Sequence, residues 1–199
     1  MSLLINFGAT LLAFHLPISA QLGPDDPGAD PGTVVPTDPQ APEEAVPTDE
    51  RERALLLLSG YHGIPSRETF EQSLSNPQEL MLDLATDPAV SPIHRDRAIG
   101  ALSYWPSATV RDFYASLLDS AETPEMVRHR VLGHLAVAFG DVAIDMIAPY
   151  LGDDDLQFRM TAVHALGEIG TSGALQLLEA AAATERSQVV LEAIQRVTQ

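Results

Sequence analysis

One pattern recurs along this chain at nearly fixed distances. It is an arginine, then a small or β-branched residue three places on, a large aliphatic residue seven places on, and a glycine or other small residue directly after that. It reads Arg159, Ala162, Leu166, Gly167 inside the run Phe158 to Gly170. It recurs as Arg128, Val131, Leu135, Ala136, as Arg95, Ala98, Leu102, Ser103, and as Arg51, Ala54, Leu58, Ser59. A degraded fifth copy runs Val190, Ala193, Val197. The copies start 44, 33, 31 and 31 residues apart, and a period of that size marks helical units that stack on one another. The small positions let helices approach closely, and the large aliphatic positions fill the layer between them.

Start and stop signals between the copies divide the chain into helices. Asp49 with Glu52 has the spacing of a capping box, which opens a helix that runs to about Ser59 before Gly60, Gly63 and Pro65. Ser66 to Leu74 is predicted as a short extra helix, which accounts for the one long spacing. Asn76, Pro77 and Glu79 then read as a cap, a proline at the first helical position and a reciprocal acid. Ser91-Pro92 opens the next helix, which ends near Tyr104 because Pro106 cannot continue it. Ser107 starts its partner, and Thr123-Pro124 repeats the cap-then-proline device. Gly140-Asp141 turns the chain into a helix that Pro149 should kink. Asp154 with Gln157 reads as a further capping box, Gly170 as a stop, and Thr171 or Ser172 as the start of a helix to Ala183. A last helix, Ser187 to Thr198, would cover the bare flank of the preceding pair. The expected fold is therefore all-α: a solenoid of about four helix hairpins over residues 49–199, closed by a C-terminal capping helix.

The first 48 residues have a different character. Leu3 to Ala20 is an uncharged apolar run that ends in Ile18-Ser19-Ala20, short for a bilayer span and interrupted by Asn6, His15 and Pro17. It reads as a signal peptide, residues 1–20, with cleavage after Ala20. No Lys or Arg precedes the run, and the competing reading is an apolar helix retained as an anchor or docked on the domain. Residues 21–48 hold seven prolines and six acids with no aromatic residue. Such a tract buries too little apolar surface to offset the loss of chain entropy, so it is expected to be a disordered, extended tether. The implied address is exported, either periplasmic or extracellular, with no membrane insertion once the signal is removed.

Composition narrows the chemistry. The chain has 28 acidic against 11 basic residues, a net charge of −17, which argues against nucleic acid or anionic membrane surfaces as partners. All the basic residues are arginine and there is no cysteine. Schiff-base lysines, thiolate nucleophiles, disulfides and cysteine-ligated zinc are therefore excluded.

The units Val127 to Asp153 and Phe158 to Thr184, with their V/F-R-x-x-A/V-x-x-x-L-G/A signature, resemble HEAT repeats, most closely the short bacterial type of phycobilin-lyase-like proteins. The likeness covers Pro88 to Gln199 well and Asp49 to Asp87 loosely. It implies an α-solenoid whose second helices line a concave face that binds another macromolecule. In metal-dependent hydroxylases similar to this repeat type, His-Glu dipeptides hold iron. Here the histidines read His62-Gly63, His94-Arg95, His129-Arg130, His134-Leu135 and His164-Ala165, so that ligand set is missing.

Several features remain as candidate sites. The repeat ladder Arg51, Arg95, Arg128, Arg159 would form either a cationic strip for an acidic partner or a set of structural forks onto acids such as Asp87, Asp119 and Asp153; the structural role is preferred. Tyr104, Trp105, Tyr114 and Tyr150 are candidate binding aromatics, although each would also suit a core. His129 and His134 stand five apart, off a common helix face, and Asp153 to Asp155 suits a helix start better than a calcium loop. No G-x-S-x-G elbow is present. The sequence thus points to a non-catalytic, exported scaffold that binds a protein partner, with no cofactor, no metal and no catalytic residue. The alternatives are a lyase- or hydroxylase-type enzyme or enzyme subunit, and a structural component of the cell envelope.

Overall fold

The computed structural model of the protein describes residues 49–60 and 63–199. The expected signal peptide and tether, and His62, lie outside the described residues. Ten α-helices follow in order among those described: α1 Glu50–Leu58, α2 Arg67–Ser73, α3 Pro77–Thr86, α4 Pro92–Ala101, α5 Ala108–Asp119, α6 Glu125–Phe139, α7 Ile144–Ile147, α8 Leu156–Ile169, α9 Ser172–Ala182 and α10 Gln188–Val197. No strand occurs among the described residues.

The recurring template explains the core directly. Ala54, Ala98, Val131 and Ala162, three places after the arginines, are all 0% exposed, and so are Leu58, Leu102, Leu135 and Leu166. Each buried leucine contributes about 1.5–3 kcal/mol relative to an exposed one. These side chains form a first layer in which α1 packs on α4, α4 on α6, α6 on α8, and α8 on α10. The second layer is offset by half a unit: α3 lies on α4, α5 on α6, the turn Ala148–Gly152 on α8, and α9 on α10 as well as α8. Each hairpin thereby covers the apolar flank of its neighbour, which is how stacked repeats share one core. Residues at nearly the same template position touch across the first layer: Arg130 with Asp96, and His129 with Thr161. Gly100 also lies against the His134 ring, five and six places after their arginines, so α4 and α6 meet at equivalent positions at two depths and run in the same direction.

The caps differ from the expected ones in instructive ways. Asp49 Oδ1 accepts from the Arg51 amide (3.0 Å). Ser66, Ser91 and Ser107 accept from the amides of Thr69, His94 and Val110, as N-cap hydroxyls do. Asn76 makes no side-chain bond to the helix backbone; its amide donates to Glu79. The cap of α8 is Asp155, which accepts from the Gln157 amide at 2.7 Å, one residue later than the Asp154 box expected. Likewise α6 is preceded by Pro124 at the N-cap position, and Thr123 supplies no cap. Gly170 closes α8 in the left-handed conformation (φ 64°), where a Cβ would be strained.

The second helix of the third hairpin departs furthest from expectation. Rather than one kinked helix, Gly140–Ala143 is a 3-10 turn, α7 is a single turn, and Ala148–Gly152 is 3-10 again. Pro149 has no N–H to give and clashes with the preceding turn, so it breaks the helix altogether. The stretch Glu125–Gly152 is apolar and long enough by composition to cross a membrane. It is instead folded back on itself at Gly140 (φ 51°), with Val131, Leu132, Leu135 and Ile147 buried inside the domain.

Candidate functional site

The ladder arginines differ in what they touch. Arg51 on α1 forms an ion pair with Asp87, the residue directly after α3. Arg159 on α8 donates from Nε to Glu185 Oε2 (2.9 Å) and from Nη1 to the carbonyls of Asp153 (2.7 Å) and Asp154 (3.0 Å). These two arginines tie the first helix of a hairpin to the turn after its second helix. The Arg159–Glu185 pair is well shielded, with side chains 18% and 8% exposed. Burial pushes the Glu185 carboxyl up, but amide donors from Ser187 and Arg186 together with Arg159 outweigh it and hold the group below the usual carboxylate range. Arg128 lies over the Phe158 ring at 5.1 Å, and its Nε is buried without a hydrogen-bond partner among the described residues. Arg95 has no side-chain hydrogen bond or ion pair with any described residue, and it lines a cleft.

A second ladder runs two residues further on. Arg53 Nη1 donates to the Ser73 carbonyl (2.8 Å). Arg97 donates to the carbonyls of Leu58 and Gly60 at the end of α1, and Arg130 pairs with Asp96 on α4. In the fourth copy Thr161 takes this place and meets His129 Nδ1 at 3.0 Å. From the second copy on, this ladder binds each hairpin to the one before it. Its sequence signal was available: R-E-R, R-D-R and R-H-R recur at 51–53, 95–97 and 128–130.

Two of the four candidate aromatics are not surface groups. Tyr114 is 0% exposed and its hydroxyl donates to the Ile99 carbonyl at 2.8 Å; burial raises its pKa well above the ordinary tyrosine value. Trp105 is 9% exposed, packs edge-on against Phe70 (5.9 Å) and donates from Nε1 to Glu71 (3.0 Å). Tyr114 faces the core from α5, whereas Trp105 is turned inward by the 3-10 turn Leu102–Tyr104 that it follows. Tyr104 and Tyr150 are half-buried, Tyr104 against Trp105 and Tyr150 against Phe158 at 5.4 Å.

The histidines have separate surroundings. His129 stacks on Phe158 at 4.0 Å, whereas His134 stacks on Tyr114 at 6.1 Å, where burial lowers its pKa. His94 bridges two hairpins: its Nε2 meets Ser59 Oγ and its Nδ1 meets Ser91 Oγ, both at 2.9 Å. Ser59 spends its proton on the Leu55 carbonyl, so it accepts from Nε2–H and leaves Nδ1 to accept from Ser91. No group of three or more His, Asp or Glu side chains suited to a metal converges among the described residues.

Charge is divided between the layers. Eight of the eleven arginines lie on α1, α4, α6, α8 and α10. The second layer exposes Asp83, Asp112, Asp119, Asp145 and Glu179 on successive helices, with Arg111, paired to Asp112 at 3.4 Å, its one arginine. The cleft beside Arg95, about 320 Å³, lies where α4, α5 and the start of α6 meet. Ile99, Leu117, Val127, Pro92 and Pro124 form its apolar walls, and Ser120, Glu122 and Thr123 its polar edge.

Stacked helix hairpins that share one core through parallel first helices define an α-solenoid. Residues 115–197, from the second half of α5 to the end of α10, match the family model described as HEAT repeats. That segment is similar to HEAT repeats, and the α1/α3 and α4/α5 units show the same layer order ahead of it. No curated protein and no solved structure matches the chain. HEAT repeats are generally protein-interaction scaffolds, and the fold is typically non-catalytic.

Proposed function

We propose that this protein is an exported, non-catalytic scaffold that binds a protein partner along the outward face of its second-layer helices. The observation that carries this reading is the division of charge. First-layer guanidiniums are largely engaged within the solenoid, while Asp83, Asp112, Asp119, Asp145 and Glu179 stand exposed on consecutive second-layer helices. A surface of that kind repels polyanions and favours a partner presenting arginine or lysine, with association that weakens as salt rises. Export is supported by the apolar run Leu3 to Ala20, and the acidic proline-rich residues 21–48 suit a spacer between that leader and the repeats.

The test is affinity capture from an envelope extract of the source cells. The full chain is compared with the quadruple variant Asp83→Asn, Asp112→Asn, Asp145→Asn, Glu179→Gln. A protein held by the native chain, released by moderate salt and lost on the variant is the expected result. Equal retention by both would remove the second-layer face from the argument. Substrate turnover by the purified chain would overturn the non-catalytic reading.

A further inference from the structure

We infer that the cleft beside Arg95 is a peptide-binding site, taking a partner segment that carries a carboxylate side chain next to a branched aliphatic one. This inference rests on the scaffold reading and names the chemistry of the partner at one place.

The argument begins with the ladder. Three of its four arginines are engaged inside the fold: Arg51 by Asp87, Arg159 by Glu185 and two carbonyls, and Arg128 on the Phe158 ring. Arg95 occupies the same template position, is half-buried, and has no side-chain partner among the described residues. A half-buried guanidinium is screened less than an exposed one, so an incoming carboxylate gains more there than on open surface. Its fixed fork of donors suits a carboxylate in two-point contact.

The fourth hairpin shows what such a carboxylate does. Glu185 lies three residues beyond the end of α9, and it closes onto Arg159. Glu122 lies at the corresponding place, three residues beyond the end of α5, and it lines the cleft without forming an ion pair with any described arginine. The second hairpin is thus an open version of the lock that is shut in the fourth. The other acid in the cleft, Asp96, is neutralised by Arg130. The walls supply the second requirement, because Ile99, Leu117 and Val127 offer apolar surface beside the guanidinium. A space of about 320 Å³ is at the small end of ligand pockets and suits one or two side chains of a peptide.

The test uses the full chain and fluorescein-labelled acetyl-Ser-Leu-Glu-Leu-Ser-amide, alongside versions with Gln or Lys in the central place, followed by fluorescence anisotropy. The Glu peptide should bind at least tenfold more tightly than the Lys peptide, with the Gln peptide between them. Arg95→Gln should remove that preference. Glu122→Gln, at an exposed position that leaves the fold intact, should tighten the Glu peptide severalfold by deleting the internal competitor. Equal binding of the three peptides, or an unchanged or weakened Glu peptide on Glu122→Gln, would overturn the site. If that happened while partner capture by the second-layer face persisted, the scaffold reading would stand without this cleft.

Discussion

Replacing Gly167 by alanine tests how closely α8 and the closing helix α10 approach each other. A Cβ built at Gly167 lies 2.8 Å from Val197 Cβ, 3.0 Å from Cγ1 and 3.2 Å from Cγ2. The first of these atoms is fixed to the α10 backbone and cannot rotate away, so α10 itself must move. Two terms oppose each other. Alanine in place of glycine inside a helix gains about 1 kcal/mol. Overpacking of a close interface costs about 1–3 kcal/mol. The net expectation is a loss of about 1 kcal/mol, or roughly 2–4 °C in Tm for a domain of this size. In a Val197→Gly background the clash is gone and only the helix-propensity gain remains. The same Gly167→Ala change should then stabilise by about 1 kcal/mol, a reversal of sign that reports a coupling of about 2 kcal/mol between the two positions. Urea unfolding of the native chain, both single variants and the double variant measures this cycle directly. Equal effects of Gly167→Ala in the two backgrounds would show that the helices do not meet there and would refute the packing argument.

Gly100→Ala makes the contrasting case. Its new Cβ would meet only the terminal methyl of Ile64 at 2.7 Å, before the His134 ring at 3.5 Å, and that methyl belongs to a flexible side chain. The helix-propensity gain should dominate, leaving thermal stability equal to or up to about 1 kcal/mol above the native value. Tyr114→Phe removes the side-chain donor to the Ile99 carbonyl in the core and should cost about 1–2 kcal/mol in urea unfolding without altering the helical circular dichroism. The Glu185 carboxyl, held below its usual range, gives stability that is present above the unfolded-state pKa and is lost as pH falls through the lower folded value. Arg159→Ala should therefore destabilise at neutral pH by about 1–3 kcal/mol and also flatten the acid limb of stability against pH; a parallel acid limb would show that the pair does not govern the titration. If residues 1–20 are a signal, intact-mass measurement of the secreted protein should place its first residue at Gln21.

The order of the helices, and the template residues that face the core, were set by the sequence alone. Both are periodic, local properties: every three-and-seven apolar position of the first four template copies is buried, and serine caps and breaking glycines act within a few residues of themselves. The third hairpin shows the limit of local reasoning. Pro149 announces an interruption, but whether a kink or a broken 3-10 segment results depends on how Ala143 and Ile147 seat on the neighbouring hairpins. Only the tertiary structure decided where each polar side chain ends. Arg51, Arg95, Arg128 and Arg159 are equivalent in the template, yet one meets an aspartate, one a cleft, one an aromatic ring and one a glutamate. Those partners lie 26 to 36 residues away and reach the arginines only through the stacking of hairpins. The same stacking turned Tyr114 and Trp105 inward. Apolar spacing along one helix fixes which stripe is buried, but which charges meet across two helices depends on their relative register and orientation, and those are properties of the assembled solenoid.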